Sequence, residues 1–303
     1  MILAARSQQV MRKGMVVNMF NLAIRNLKIF FRQKSNVFFS LMGVFIIIGL
    51  YVLFLGDVWS SGFGDVVGVK AMMASWIMAG VIAVTSITTT MGAFGIMVED
   101  KSNKNIKDFN AAPIKRWQIA GGYLLSSYLI GVIISIVALV LGEFYIVYSG
   151  GQFLSFVTII KVLGVILLSV AASSSMVFFI VSFFTSNNAF ATASTILGTL
   201  IGFLTGIYLP IGQLPESVQW VIKCFPVSHA AVLLRQLFME KPIQQVFNGA
   251  PVETVTEFKN LMGVQFMYKD YLGTTGLHIT VLAITAVVFF ILSVINVSRV
   301  PKK

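Results

Sequence analysis

Few residues in this 303-residue chain could do chemistry, and they are scattered. His229 and His278 stand in separate segments, and the single cysteine, Cys224, excludes an internal disulfide or a thiolate metal cluster. No second His, Cys or clustered carboxylate accompanies His229, so it reads as a hydrogen-bonded structural residue and no metal site is expected. No close carboxylate pair is present and no GxxxxGK[ST] loop is available to cradle phosphates, so no catalytic residue is assigned. The ionisable side chains concentrate instead in residues 99–118, EDKSNKNIKDFNAAPIKRWQ, where eight of twenty residues are charged; residues 71–98 before them and 119–142 after them carry no charge.

Those flanking runs are each long enough to cross a bilayer, which makes the charged island a polar connection between two membrane spans. Composition agrees: 57% of residues are hydrophobic and 11% charged, too little charged surface for a soluble domain of this size. Alternating ten-residue segments typical of a transmembrane barrel are not evident. The expected fold class is an all-α polytopic membrane protein with six transmembrane helices near 37–55, 71–98, 119–147, 156–184, 189–209 and 276–297. The net charge of +11 lies beside these spans, as expected for orientation signals and anionic headgroups rather than nucleic acid.

Residues 1–36 hold seven Lys/Arg and no acid. Asn18, Asn21, Arg25, Lys28 and Arg32 recur at helical spacing opposite Phe20, Ala23, Ile24, Leu27, Phe30 and Phe31, an amphipathic helix suited to the headgroup plane or to the surface of another protein. Counting Lys/Arg places 15 on the side of the termini and the charged island and 7 on the other, so both termini and residues 99–118 are expected in the cytoplasm of a multi-pass cell-membrane protein. Residues 210–275 would then be extracellular and 298–303 a cytoplasmic tail.

Within the spans, Thr85, Thr88 and Thr89 either bond to carbonyls one turn back or line a polar path. Gly198, Gly202 and Gly206 form a four-spaced stripe for close helix approach, within the chain or across a dimer axis. After the fifth span, Pro215 and Glu216 open one short helix, Pro226 stops it, and Ser228 caps a second; the two are expected to form a re-entrant lid, with His229 at the bend. Residues 240–275 read as a small solvated cap.

The string YLPIGQLPESVQWVIKCFPVSHAAVLLRQLF, through Pro210, Leu214, Pro215, Phe225, Pro226, His229 and Arg235, resembles the ABC-2 type permeases, membrane subunits of ATP-binding-cassette exporters of the drug- and haemolysin-exporter kind. Glu99-Asp100-Lys101 and Ala112-Pro113-Ile114-Lys115-Arg116 resemble a second block of that family, between spans two and three. The resemblance implies a dimer, homomeric or with a related paralogue, and two cytoplasmic ABC ATPase subunits that carry ATP and Mg, with no cofactor in this chain. It implies that Glu99, Asp100, Lys104, Ile106, Lys107, Asp108, Phe109, Pro113, Lys115 and Arg116 belong to the ATPase-coupling loop and that the string from Pro210 to Arg235 forms an extracellular gate; within the loop Pro113 separates residues 105–110, the expected docking helix, from residues 115–117, the expected hinge. The expected function is export of a hydrophobic or amphipathic compound; the alternatives are an ATP-independent secondary transporter or channel, which would want ionisable residues within spans, and a membrane enzyme.

Overall fold

A computed structural model describes residues 19–55, 66–106, 109, 114–269 and 271–299. Residues 1–18, 56–65, Lys107, Asp108, Asn110, Ala111, Ala112, Pro113, Asp270 and 300–303 lie outside the described residues. The chain runs α1 (residues 19–32), α2 (Lys34–Leu50) with a π-helical continuation Tyr51–Leu55, α3 (Val69–Ser102), α4 (Arg116–Tyr148), α5 (Phe156–Ser182), α6 (Asn187–Leu204), α7 (Glu216–Cys224), α8 (Pro226–Val246), α9 (Val252–Leu261), a two-residue hairpin β1 (Met267–Tyr268) and β2 (Tyr271–Leu272), and α10 (Thr275–Arg299).

Among the described residues five helices are long and apolar enough to cross a membrane, α2, α3, α4, α5 and α10; a sixth is counted if α7 and α8, bent by 91° at Phe225, form one broken span. The all-α polytopic architecture therefore stands. The expected fifth span is α6, whose 18 residues reach about 27 Å at 1.5 Å each and include Asn187, Asn188 and four Thr or Ser. It stops at Leu204 rather than near 209. Gly206 takes a φ of +66°, Ile207 N–H donates to the Gly202 carbonyl and Gly206 N–H to that of Phe203, a glycine-terminated Schellman end.

The core is built around α3, whose apolar window is 78% buried. It packs against α2, α4, α5, α6 and α8, while α10 closes on α5 and α8. Small residues and hydroxyls make this close approach possible. Gly131 of α4 faces Val170 and Thr90, Ser86 lies 2.8 Å from Ser169, and the Ser127 hydroxyl donates to the Thr90 carbonyl. At 34 residues α3 spans about 51 Å, longer than a hydrocarbon core of roughly 30 Å.

Two expectations need adjusting. The second re-entrant helix, α8, runs 21 residues and is largely buried beside α3, α5 and α10, because its stripe continues past Pro242 to Ile243. The 240–275 cap is not wholly solvated: its own Phe258, Met262, Val264 and Phe266 are buried.

The close approach of α4 to α3 and α5 at Gly131 yields a stability test. A Cβ on Gly131 would lie 2.7 Å from Val170 Cγ1 and 2.9 Å from Thr90 Cγ2. Gly131→Leu is expected to destabilise by about 1–3 kcal/mol through overpacking, read as a lowered melting temperature in detergent. Gly92→Ala, whose Cβ meets nothing within 4 Å, should shift it little.

Candidate functional site

At the end of the molecule that carries α1, the carboxylate of Asp100 is 3% exposed and gathers four donors. Arg25 approaches it through two nitrogens, Nη1 to Oδ2 at 2.7 Å and Nη2 to Oδ1 at 3.0 Å; Tyr123 OH donates to Oδ2 at 2.6 Å and Asn105 Nδ2 to Oδ1 at 3.0 Å. Two carboxylate oxygens accept about four hydrogen bonds, so this group is saturated. The partners come from α1, α4 and the chain just after α3. Hydrogen bonding to Asp100 holds the Arg25 guanidinium above its ordinary pKa. Asn26 extends the junction by donating to Ser126 Oγ, and Phe109 lies under the Arg25 guanidinium at 5.3 Å.

The next residue fastens a further helix. Lys101 Nζ donates to the carbonyls of Val181, Ser182 and Phe184, the C-terminal end of α5, where the helix dipole favours a cation. Asn296 of α10 donates to Ser182 Oγ. One acidic and one basic residue at the end of α3 thus bind α1, α4 and α5 to each other and to the polar loop.

The other residues expected in the loop are placed less centrally. Glu99 is exposed, and Lys104 is exposed in left-handed backbone at φ +64° just past the C-cap. Ile106 is half-buried and Phe109 N–H donates to the Asn105 carbonyl, one helical turn. Lys115 N–H donates to Gln118 Oε1 at 2.6 Å, fixing the start of α4, and Arg116 opens that helix. The amphipathic α1 has three faces rather than two: Leu22, Ala23, Asn26 and Phe30 are buried, Phe20, Ile24 and Phe31 are exposed, and Asn21, Lys28 and Arg32 point elsewhere. Leu22 fits against Gly122 of α4, and the apolar moment alone could not tell a protein-facing from a lipid-facing side.

A groove of about 450 Å³ opens between α2, α3 and α6. Thr85 and Thr88 line it while their hydroxyls donate back to Val81 and Val84, so the two readings of these residues are compatible. Thr89 is fully buried elsewhere. The glycine stripe divides: Gly198 lines the groove with open space at its Cβ position, Gly202 receives the Tyr208 ring, and Gly206 makes the left-handed turn.

At the opposite end Arg235 is completely buried. Its Nη2 donates to the Thr205 and Gly206 carbonyls at 3.0 and 2.9 Å, and its guanidinium lies 4.8 Å from the Trp76 ring centre. Trp76 Nε1 donates to the Met262 carbonyl, so α3, α6, α8 and the cap meet here. Pro210 precedes the turn at Ile211–Gln213, Leu214 packs beside Ile211, Pro215 caps α7, and Phe225 and Pro226 make the bend.

His229 does have a second histidine: its Nδ1 lies 2.7 Å from Nδ1 of His278, and its Nε2 lies 2.9 Å from the Lys223 carbonyl. A carbonyl only accepts, so Nε2 of His229 carries a proton; with His229 neutral, its Nδ1 accepts from His278. The pair joins α8 to α10, and a separation of 49 positions left no sequence signal of it. Among the described residues no three His, Cys, Asp or Glu side chains gather as a metal site.

A family model described as ABC-2 family transporter protein matches residues 2–295. No curated protein matches the chain.

The junction predicts a coupled loss. Asp100→Ala leaves Arg25 and Tyr123 without their acceptor and should destabilise the protein by about 2–3 kcal/mol. Arg25→Ala, whose side chain is 35% exposed, should lose less. The double variant should be less unstable than the sum, and additive losses in denaturation would show that the pair is not coupled.

Proposed function

We infer function from one premise: the chain belongs to the ABC-2 family of transporter proteins. It is a multi-pass transport subunit. We propose that it is the permease of an exporter whose ATP, Mg and ATPase activity reside on a separate cytoplasmic subunit, two copies of which dock on the loop after α3. The observation that carries this reading is the Asp100 junction, which fastens that loop to α1 and α4, with Lys101 adding α5. Displacement of the loop is thereby delivered to the bundle as movement of helices rather than lost in a flexible tether.

The groove between α2, α3 and α6 is the proposed half of a transport pathway. Only 11% of the apolar stretch of α2 is buried, and α6 packs chiefly on α3 with most of its other faces exposed, so both offer surface to a second permease copy or a paralogue. Thr85, Thr88 and Gly198 would then face the partner across a chamber whose remaining lining is mainly apolar, suited to a hydrophobic or amphipathic cargo. In this orientation α1 is cytoplasmic and the bent pair α7 and α8 forms an extracellular gate, with Arg235 and the His229–His278 contact holding it to α6 and α10.

Three outcomes test the reading. Lys115→Glu with Arg116→Glu should reduce co-purification of the ATPase about tenfold, a loss of roughly 1.4 kcal/mol; unchanged capture would remove the docking assignment. Gly198→Trp should fill the groove and abolish transport while ATPase capture persists. Transport into vesicles should stop on ATP depletion, and its persistence would favour the ATP-independent alternative.

A further inference from the structure

A second cavity lies away from the α2, α3 and α6 groove. It has a volume of about 730 Å³ and runs between the start of α1, the first half of α4, and the matching ends of α5 and α10. Met19, Leu124, Phe178 and Phe290 contribute to an almost wholly apolar wall. Arg116 is the one charged side chain among the described residues that line it, and Trp117 stands beside it, half exposed. Trp and Arg at the same level mark a membrane–water interface.

The groove has the dimensions of one leaflet. From Arg116 to Tyr128, the first and last α4 residues in its wall, twelve residues at 1.5 Å each give about 18 Å. Half of a hydrocarbon core of roughly 30 Å is about 15 Å. A chain entering beside Arg116 and following α4 would therefore end near the bilayer midplane. The opening is lateral, since Phe290 and Val294 of α10 are both substantially exposed. Its volume is within the range of about 300–1,000 Å³ usual for small-molecule sites.

Charge selects the headgroup. Lys115 is exposed immediately before Arg116, the positive end of the α4 dipole points to the same place, and no acid lines the cavity among the described residues. We propose that this groove is a binding site for an anionic phospholipid, one acyl chain lying along α4 between α5 and α10 and its phosphate beside Arg116. The site sits next to the start of α4, where the Asp100 junction also ends, so an occupied groove would brace α1 and α4 against each other through Met19. That the lipid comes from the cytoplasmic leaflet rests on the orientation proposed above; the binding itself does not.

The test uses the full-length permease alone, purified in dodecyl maltoside without ATPase or nucleotide, so it is independent of the transport reading. Melting temperature is followed while dioleoyl phosphatidylglycerol, dioleoyl phosphatidylcholine or glycerol 3-phosphate is titrated in, and lipid adducts are counted by native mass spectrometry. Phosphatidylglycerol is expected to give a saturable rise and one retained adduct, and the other two no saturable rise. Arg116→Gln should move half-saturation upward at least fivefold, and Ala171→Phe, which fills the groove from α5, should remove the adduct. Leu125→Trp fills it from α4 and serves if Ala171→Phe does not fold. Equal stabilisation by phosphatidylcholine would overturn the headgroup assignment, equal stabilisation by glycerol 3-phosphate would overturn the acyl-chain assignment, and wild-type saturation in the filled variants would overturn the site.

Discussion

The arrangement depends on a saturated carboxylate at the end of a buried helix. Asp100 is 3% exposed, and a carboxylate in that position is tolerable only if its acceptor capacity is met. The donors that meet it come from α1, α4 and Asn105, which forces these segments to converge. The position of α1 is then a consequence of charge solvation as much as of its apolar stripe. Lys101 acts in the same way on the exposed carbonyls at the end of α5, so two adjacent ionic residues organise one whole end of the bundle.

Arg235 meets a related demand with the opposite charge and different chemistry, and meets it only in part, since its Nε has no hydrogen-bond partner among the described residues. Its guanidinium is met by carbonyls at the end of α6 and the face of Trp76. Backbone carbonyls without a helical partner are available where a helix stops, and α6 stops at Gly206, which adopts left-handed backbone. The end of α6, the depth of α8 and the seat of the cap are therefore one linked feature. Chemically the two ends are unlike: one joins side chains across polar loops, and the other uses the carbonyls of a helix terminus buried within protein.

Much of the architecture was legible in the sequence because a bilayer imposes a coarse and strong rule. Uncharged runs of twenty or more residues mark spans with little ambiguity, and α3, α4 and α5 begin and end within four residues of the expected limits. Features set by long-range contact were not legible. Asp100 in an exposed-looking charged loop gave no hint of burial, because its partners Arg25 and Tyr123 are 75 and 23 positions away. His229 and His278 are meaningful only as a pair, and neither flanking sequence reports the other. The glycine stripe was a true periodicity with a misleading simplicity: three positions at one spacing meet open space, an aromatic ring and a turn. Local pattern describes which face a residue occupies, and it does not describe what lies opposite.

Helix α3 joins both ends. Trp76 and Asp100 are 24 residues apart on it, about 36 Å along a helix whose apolar window is 78% buried. A helix packed on five others has little freedom to bend or slide by itself, since every small displacement disturbs close-packed neighbours. It is better suited to move as a rigid body with α4 and α8 than to deform. The α2 helix has the opposite character, shallowly packed and continued by a π-helical turn, and α6 rests chiefly on α3. Any change in width of the groove between them is therefore least costly when α2 and α6 shift against a fixed α3. The fixed and movable parts are thus distinguished by packing: a rigid strut carries the ionic junctions, and loosely held helices border the groove.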